Sequence, residues 1–555
     1  MNRNRTSLYC RLLLTHWLIL LAIDVSTTSL GAQILPPLPP GPSTTNELSA
    51  APGLFVRAFQ FEGNHAFTGA ELSEVTKRFT NRKVSSDDLE QARRNVSLYY
   101  VSHGYVNSGA IIPDQDPTNG VIVLRIVEGR LSGITLHGNK WLRDAYITNR
   151  IERWAKNPLN LHQLQGGLQL LRQNPNVGQI NAELKPGTSP GESELDLKVA
   201  DKQPFRVGLQ FDNERPPSVG EYEVWALVSD LNLTGNGDPL DLKYGIMNSG
   251  RSGPEFSGAD NLEGSYVLPL TRFDTTLAFD GSRLNTSIVE EPFTSLNISS
   301  LTASYGVVLR QPVYQKANQE AALSVGFNWR RNQTWLLGQP FGLSPGATTN
   351  GEMIVSVLTL SQEWLNRGQN NVLALRSTFN FGLDVLGATH NRVPGDPDAN
   401  FFSWVGQGQY VQRLFKTRNQ LILRVSGQWT HERLLAIQQL SVGGAESVRG
   451  YLENQLVRDR GIVSSLEFRV PVWFDKARAG IVQLAPFFDY GAAFDVGGSS
   501  KPTSIYSVGS GLLVSPNEHF SAALYWGYRL KHVELPNDSG AQGEGITFKL
   551  TFGAP

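Results

Sequence analysis

From about residue 205 onward the chain repeats one pattern: seven to twelve residues in which apolar side chains alternate with polar or small ones, closed by a turn-rich break. Phe205, Val207, Leu209 and Phe211 alternate with Arg206, Gly208, Gln210 and Asp212. Leu323, Val325, Phe327 and Trp329 alternate with Ser324, Gly326, Asn328 and Arg330, and the chain nearly ends on Ile546, Phe548, Leu550 and Phe552 set against Thr547, Lys549 and Thr551. Period two puts every greasy side chain on one face of a strand. A soluble sandwich alternates too, but its second face belongs to a two-layer protein with its own core to fill. Here charges recur on the polar face of strand after strand, with no helical pattern between them. This predicts a transmembrane antiparallel β-barrel of about 16 strands over residues 203–555, greasy outside and wet inside. An even strand number returns both barrel ends to one side of the membrane.

The first residues bear on the compartment. Arg3, Arg5 and Arg11 precede the apolar run Leu12 to Ile23, and the small residues Ser29, Gly31 and Ala32 follow it. That order is a secretory signal peptide over residues 1–32. The competing reading, a membrane anchor, needs about 20 apolar residues, and the run falls short of that. The only cysteine, Cys10, lies before the apolar run, so the processed chain would have neither disulfides nor thiol chemistry.

Residues 33–53, with Pro36, Pro37, Pro39, Pro40, Pro42 and Pro52, read as an extended linker. An internal repeat of about 75 residues follows. Phe61-Glu-Gly63-Asn64 recurs as Leu136-His-Gly138-Asn139, each time ending a strand and leading into helical sequence. Leu89, Ala92, Val96 and Tyr99 match Leu161, Leu164, Leu168 and Leu171 in spacing, one face of a helix packed on a sheet. Asp87 with Glu90 gives the first of these helices a capping signal, and Gly104 stops it. Strand pairs close the units, Val106 to Ile112 with Val121 to Val127 and Ile180 to Leu184 with Glu194 to Val199. The order strand, helix, helix, strand, strand therefore appears twice, over residues 54–129 and 130–202.

Two short motifs stand in the barrel region. The stretch ending at Asn454 reads QLSVGGAESVRGYLEN and carries Val448, Arg449, Gly450 and Tyr451. Downstream, Phe487, Asp489 and Gly491 fall at alternate positions, with Gly461 to Pro471 (GIVSSLEFRVP) between the two motifs. With the two preceding β-α-α-β-β units, which resemble POTRA domains, the arrangement resembles the outer-membrane transporters of two-partner secretion, the hemolysin secretion/activation (ShlB/FhaC/HecB) family. The resemblance covers roughly residues 54 to 555. It implies that Val448-Arg449-Gly450-Tyr451 is the tip of a long loop folded back into the lumen, and that Phe487, Asp489 and Gly491 belong to the wall that receives it. It also implies that the partner is a large secreted exoprotein, adhesin- or hemolysin-like, that folds as it emerges; secretion alone and secretion with activation on the way both fit.

The residues support this physically. Alternation puts Phe487, Asp489 and Gly491 on one strand face, and Asp489 cannot face lipid at reasonable cost, so that face is lumenal. Glu467 and Arg469 share a lumen-facing wall by the same rule. A loop tip carrying Arg449 would find Asp489 as its partner, with glycines beside both residues allowing close approach. The alternative is an exposed loop arginine and a solvated pore carboxylate.

Composition narrows the function further. A net charge of −1 gives no reason to expect nucleic acid, and a mean hydropathy of −0.23 is ordinary for a barrel whose strands are half apolar. Nine scattered histidines without paired ligand spacing argue against a metal site. There is no G-x-S-x-G elbow and no phosphate-binding loop, so neither catalysis nor a cofactor is expected. The expected partners are the exoprotein and outer-membrane lipid, with the transporter itself a monomer. The same superfamily contains outer-membrane protein insertases, the alternative function; these typically carry more periplasmic repeats than two. Family members commonly have an N-terminal plug helix, for which the prolines here leave little more than two turns around Thr44 to Ala51.

Overall fold

In the computed structural model the described residues are 53–554, apart from 117, 249–258, 290–292, 392, 394, 415–417, 475–480, 498–502 and 535–539. The expected signal peptide, linker and plug segment lie outside them. The chain divides into two units, with residues 54–202 in one and 203–554 in the other.

The first unit holds the two repeats. β1 (Leu54–Val56) pairs with β3 (Arg82–Val84), a ribbon the sequence pattern did not announce. β2 (Ala58–Glu62) runs parallel to β5 (Val121–Val127), which is also antiparallel to β4 (Gly109–Ile111). The helices Gly69–Thr76 and Ser86–Ser102 cover this sheet, burying Leu72, Ala92, Val96 and Tyr100 against Ile122, Leu124 and Ile126. The second repeat is built alike: β6 (Arg130–His137), helices Asp144–Glu152 and Leu161–Arg172, β7 (Val177–Pro186) and β8 (Glu192–Asp201), in sheet order β6-β8-β7. Tyr146, Ile147, Leu164 and Leu171 pack there on Leu195, Leu197 and Val199.

The cap of helix Ser86–Ser102 differs from the sequence expectation. Ser85, not Asp87, is the N-cap, and Asp88 completes the box: the Ser85 hydroxyl accepts the Asp88 N–H at 3.2 Å and Asp88 accepts the Ser85 N–H at 3.1 Å. The serine side chain reaches the third helical N–H directly, whereas Glu90 is drawn to Arg93. The strand expected from Val106 is also shorter and begins at Gly109.

The Gly-Asn repeat has a structural cause. Gly63 and Gly138 sit at φ 78° and 93°, where a Cβ would stand 2.6 Å from the Ile126 carbonyl oxygen and 2.9 Å from that of Val199. The turns that follow are gripped by a carboxylate leaving the last strand. Glu128 accepts the N–H groups of His65 and Ala66, each at 2.7 Å, and the Tyr100 hydroxyl at 3.0 Å. Asp201 accepts those of Lys140, Trp141 and Leu142 at 2.6–3.0 Å.

The second unit is the closed barrel. Its wall is β9 (Phe205–Asp212), β10 (Glu223–Asp230), β11 (Leu240–Met247), β12 (Asp260–Pro269), β13 (Thr276–Ser287), β14 (Ser299–Lys316), β15 (Gln319–Leu336) with its short extension β16 (Gln339–Pro340), β17 (Glu352–Arg367), β18 (Asn371–Leu383), β19 (Phe402–Arg413) and β20 (Gln420–Thr430). After an inserted hairpin, β21 (Leu440–Val442) with β22 (Leu456–Arg458), it continues as β23 (Arg460–Trp473), β24 (Val482–Phe494), β25 (Thr503–Asn517), β26 (Phe520–Arg529) and β27 (Ile546–Ala554). β27 returns antiparallel to β9, from Lys549 opposite Asp212 to Ala554 opposite Val207. Sixteen strands close the wall when the two-residue β16 is taken with β15. The last strand runs through Gly553 and Ala554, beyond the alternation that ended at Phe552.

Leu209, Tyr305, Leu323, Val325, Leu466 and Phe488 point outward and are exposed, while Ser300, Thr302, Asn328, Asn332 and Asp489 are buried inside. The greasy-out, wet-in rule fails where loops cover the inner face of the wall, most extensively at β17. Met353, Val355 and Val357 of β17 face inward, because the connections 384–401 and 431–439 fold back over them with Ala399, Phe401, Leu434, Leu435 and Ile437 to make a small dry core.

Two tests follow for the repeats. In the fragment 54–202, Asp201→Ala should lower unfolding free energy by about 1–3 kcal/mol, since three backbone donors lose their acceptor; an unchanged urea midpoint would deny the clamp any stabilising role. Glu71 and Asp88 lie below the ordinary carboxylate range, chiefly through the N–H bonds of Thr68 and Ser85. Their contribution is fully present above the unfolded values near pH 4 and lost as pH falls through the lower folded ones. Amide-exchange protection at these two helix starts should therefore drop below about pH 4.

Candidate functional site

The connection between β20 and β23 is the loop that carries Arg449. Its root lies on the dry core above β17, and the Arg330 guanidinium donates to the Ile437 carbonyl at 2.5 Å. From there the β21–β22 hairpin descends, and its far side packs Val442, Val448, Tyr451 and Leu456 against Val463, Ala493 and Ile505 of the wall. At the tip, Gly450 has φ 92°, and a Cβ there would stand 2.6 Å from the Gly527 carbonyl oxygen of β26. The loop backbone thus lies on the strand backbone. Tyr451 fixes the neighbouring turn: its hydroxyl donates toward the Lys531 and Tyr506 carbonyls at 2.8 and 3.0 Å.

The Arg449 side chain is engaged from every direction. Its Nε and Nη2 reach Asp489 Oδ2 and Oδ1 at 2.8 and 2.9 Å, a two-pronged contact, and its own backbone N–H adds a third bond to Asp489 at 3.0 Å. Nη1 donates to Glu467 Oε2 at 2.5 Å and Nη2 to the Ser465 hydroxyl at 3.0 Å. The guanidinium carbon lies 3.7 Å from the Phe487 ring centre and 4.7 Å from that of Tyr525, so two aromatic rings, set at 69° to each other, close the site around it. Ser507 donates to the Arg449 carbonyl at 2.5 Å. Glu467 is shared, its other oxygen accepting Arg469 Nε at 2.6 Å. Two cations therefore meet two carboxylates, with Asp489 and Glu467 fully buried and Arg449 4% exposed. Such a cluster persists because it is complete; removing one member leaves a buried charge without its counterpart.

This is the geometry the resemblance implied, and comparison with known proteins agrees. Residues 191–514 match the family described as haemolysin secretion/activation protein ShlB/FhaC/HecB, and residues 54–129 match the ShlB-type POTRA domain. The chain belongs to the ShlB/FhaC/HecB family. It is 24% identical over 426 residues to the outer membrane transporter CdiB of Dickeya dadantii, covering 76% of this chain and 73% of that protein. It is 23% identical over 465 residues to the heme/hemopexin transporter protein HuxB of Haemophilus influenzae, covering 80% and 78%. In fold it is similar to the solved structure of CdiB from Escherichia coli, with a TM-score of 0.70, 19% identity and coverage of 92% and 93%. As a member of this family it is an outer-membrane β-barrel with its POTRA region in the periplasm.

The structure brings all nine singled-out residues into one neighbourhood. Arg449 and Asp489 are in direct contact, the Phe487 ring centre lies 3.7 Å from the guanidinium carbon, and Gly491 leaves room for the tip, since a Cβ there would stand 2.8 Å from Val448 Cγ2. Glu467 and Arg469, expected only to face the lumen, belong to the ion cluster itself. Ser465, Ser507, Tyr525 and Arg529 were not anticipated. Ser465 and Ser507 both stand opposite Asp489 on the flanking strands, so register would have found them, but register is not written in sequence. Beside the seat a cavity of ≈ 560 Å³ is lined by Gln210, Glu263, Arg376, Gln407 and Arg424 among others. Among the described residues no group of three or more His, Asp or Glu is placed to hold a metal ion.

Arg449→Ala should therefore cost on the order of 3–5 kcal/mol at the tip, read as a lower thermal midpoint of the detergent-solubilised protein and noisier single-channel current. Asp489→Asn should do more damage than Glu467→Gln, because Asp489 accepts three bonds from Arg449 and Glu467 one. Arg449→Lys should rescue poorly, lacking the planar fork. Combining Arg449→Asp with Asp489→Arg should recover only in part, since the new aspartate would face Glu467. Wild-type midpoint and current in both Arg449→Ala and Asp489→Asn would return these residues to ordinary pore charges.

Proposed function

We propose that this chain is a secretion pore that recognises one partner exoprotein in the periplasm, passes it through the barrel lumen and releases it outside. The observation that supports this most is a wet lumen in a closed sixteen-strand wall, occupied by a loop tip whose charged end is held by ionic and hydrogen bonds. Polar contacts of that kind can be exchanged for others in a water-filled channel, so the tip can leave its seat and return. The lock between Arg449 and its seat would then keep the resting pore closed, and displacement of the tip would open the path.

Both repeats, 54–129 and 130–202, are read here as POTRA units, followed by the barrel over 203–555. Their sheets have free edges at β2 and β4 in one and at β6 and β7 in the other. Ile111 on β4 is 45% exposed. An unfolded client can add a strand to such an edge and bind through its main chain without any energy source. Folding of the client outside would then make export directional. The protein acts by transport and not catalysis, as a monomer in outer-membrane lipid.

Loss of the protein should remove one or a few proteins from the surface or medium while the other outer-membrane barrels stay at normal abundance. A general fall in barrel proteins would instead indicate an insertase. Leu164→Asp, which buries a carboxylate in the second core at a cost of several kcal/mol, should abolish export while leaving the barrel assembled; continued export would exclude capture by the repeats.

A further inference from the structure

A second buried polar cluster lies where the first and last strands of the barrel meet. β9 ends at Asp212, and Asn213 carries the seam on with its side chain. Its Nδ2 donates to the Ile546 carbonyl at 3.0 Å, and its Oδ1 accepts the Phe548 N–H at 2.7 Å. Against this corner sits Gln542, 1% exposed. Its Nε2 donates to the carbonyls of Asn213 and Arg215, both at 2.5 Å, and its Oε1 accepts the N–H of Glu453, in the lumenal loop just past the tip, at 2.9 Å. The Glu221 carboxylate takes the N–H groups of Ala541 and Gln542 at 3.0 and 3.3 Å. Arg529 of β26 completes the connection: Nε donates to the Gly450 carbonyl at 2.5 Å, and Nη2 to the Gln542 carbonyl at 3.1 Å and to that of Gly543.

We propose that Gln542 is a positioning residue that couples the lumenal tip to the seam between β9 and β27, so that seating the tip holds the loop end of the seam closed and releasing it loosens the seam. Both donors and the acceptor of its carboxamide are used, on two elements that otherwise belong to different tasks. In a buried site none of these bonds has water as a replacement, so Gln542 cannot leave one partner without disturbing the other. The coupling is reciprocal: whatever opens the seam weakens the hold on the tip by the same factor. The inference rests on the reading of the Arg449 seat as a releasable lock.

The test uses the full chain with Cys10→Ser, Gln210→Cys and Thr551→Cys. These last two positions face each other across β9 and β27, within disulfide reach for an antiparallel pair. In planar bilayers under reducing conditions, Gln542→Ala should raise the rate of large current excursions on the order of tenfold, as Arg449→Ala does. Oxidising the cysteine pair should return Gln542→Ala to the quiet trace, and the double variant should show no more than the larger single effect. Gln542→Glu keeps the size but turns an oxygen toward the Asn213 and Arg215 carbonyls; it should reproduce the alanine result and serves if the alanine variant assembles poorly. Quiet traces in both Gln542 variants, excursions that survive oxidation, or effects that add to Arg449→Ala would overturn the coupling. Silence of Arg449→Ala itself would overturn the lock and the coupling with it; a response there with silent Gln542 variants overturns the coupling alone.

Discussion

A permanently charged guanidinium taken out of water fixes the arrangement of this barrel's interior. Arginine cannot shed its proton to escape burial, so Arg449 must be matched where it stands. The wall supplies the match from three neighbouring strands: Ser465 and Glu467 from β23, Phe487 and Asp489 from β24 and Ser507 from β25. β26 adds Tyr525 and the glycine floor at Gly527. A one-residue slip between any of these strands would turn half the set toward lipid. The seat therefore requires a single register of the wall.

The same loop is held in two physically different ways. Its root lies on apolar side chains of β17, a contact that does not exchange with water, while its tip combines the ionic and hydrogen bonds of Arg449 with an apolar cluster of Val448 and Tyr451 with Val463, Ala493 and Ile505. A tip that moves while its root stays is the simplest motion such a division allows, and it leaves the wall intact. The neighbouring cavity carries both signs of charge, with Lys243, Glu263, Glu363, Arg376 and Arg424 in its lining beside apolar residues such as Trp225, Leu375 and Val425, so a passing chain meets polar contacts of both signs.

Much of this was legible in the sequence. Period-two alternation identified the barrel because lipid and lumen impose opposite demands on adjacent residues, and Asp489 could be assigned inward since a carboxylate facing lipid is too costly. Arg449 could be paired with it because two motifs stood in the right order. What escaped was whatever depends on contact between distant strands. Ser465, Ser507 and Tyr525 are unremarked polar positions until register puts them beside the guanidinium. Gln542 and Asn213, 329 residues apart, carry no local sign of their bond. The inward Met353, Val355 and Val357 break the alternation rule because loops return to cover them, which a strand pattern cannot foresee. The cap at Ser85 was missed for a smaller reason: Asp87 and Glu90 offered the same spacing two residues on, and only the backbone decides which side chain reaches the free N–H.

The central claim is that the tip must leave its seat for a client to pass. Val448→Cys with Gly491→Cys, in a Cys10→Ser chain that also carries Val442→Ala, would tether tip to wall, since a Cβ at position 491 stands 2.8 Å from Val448 Cγ2 and the alanine removes the Val442 Cγ1 that would stand 2.3 Å away. Export of the client should stop when that pair is oxidised and resume when it is reduced. Export at the wild-type rate through the oxidised, tethered protein would show that the client passes without moving the tip, and the account would be wrong.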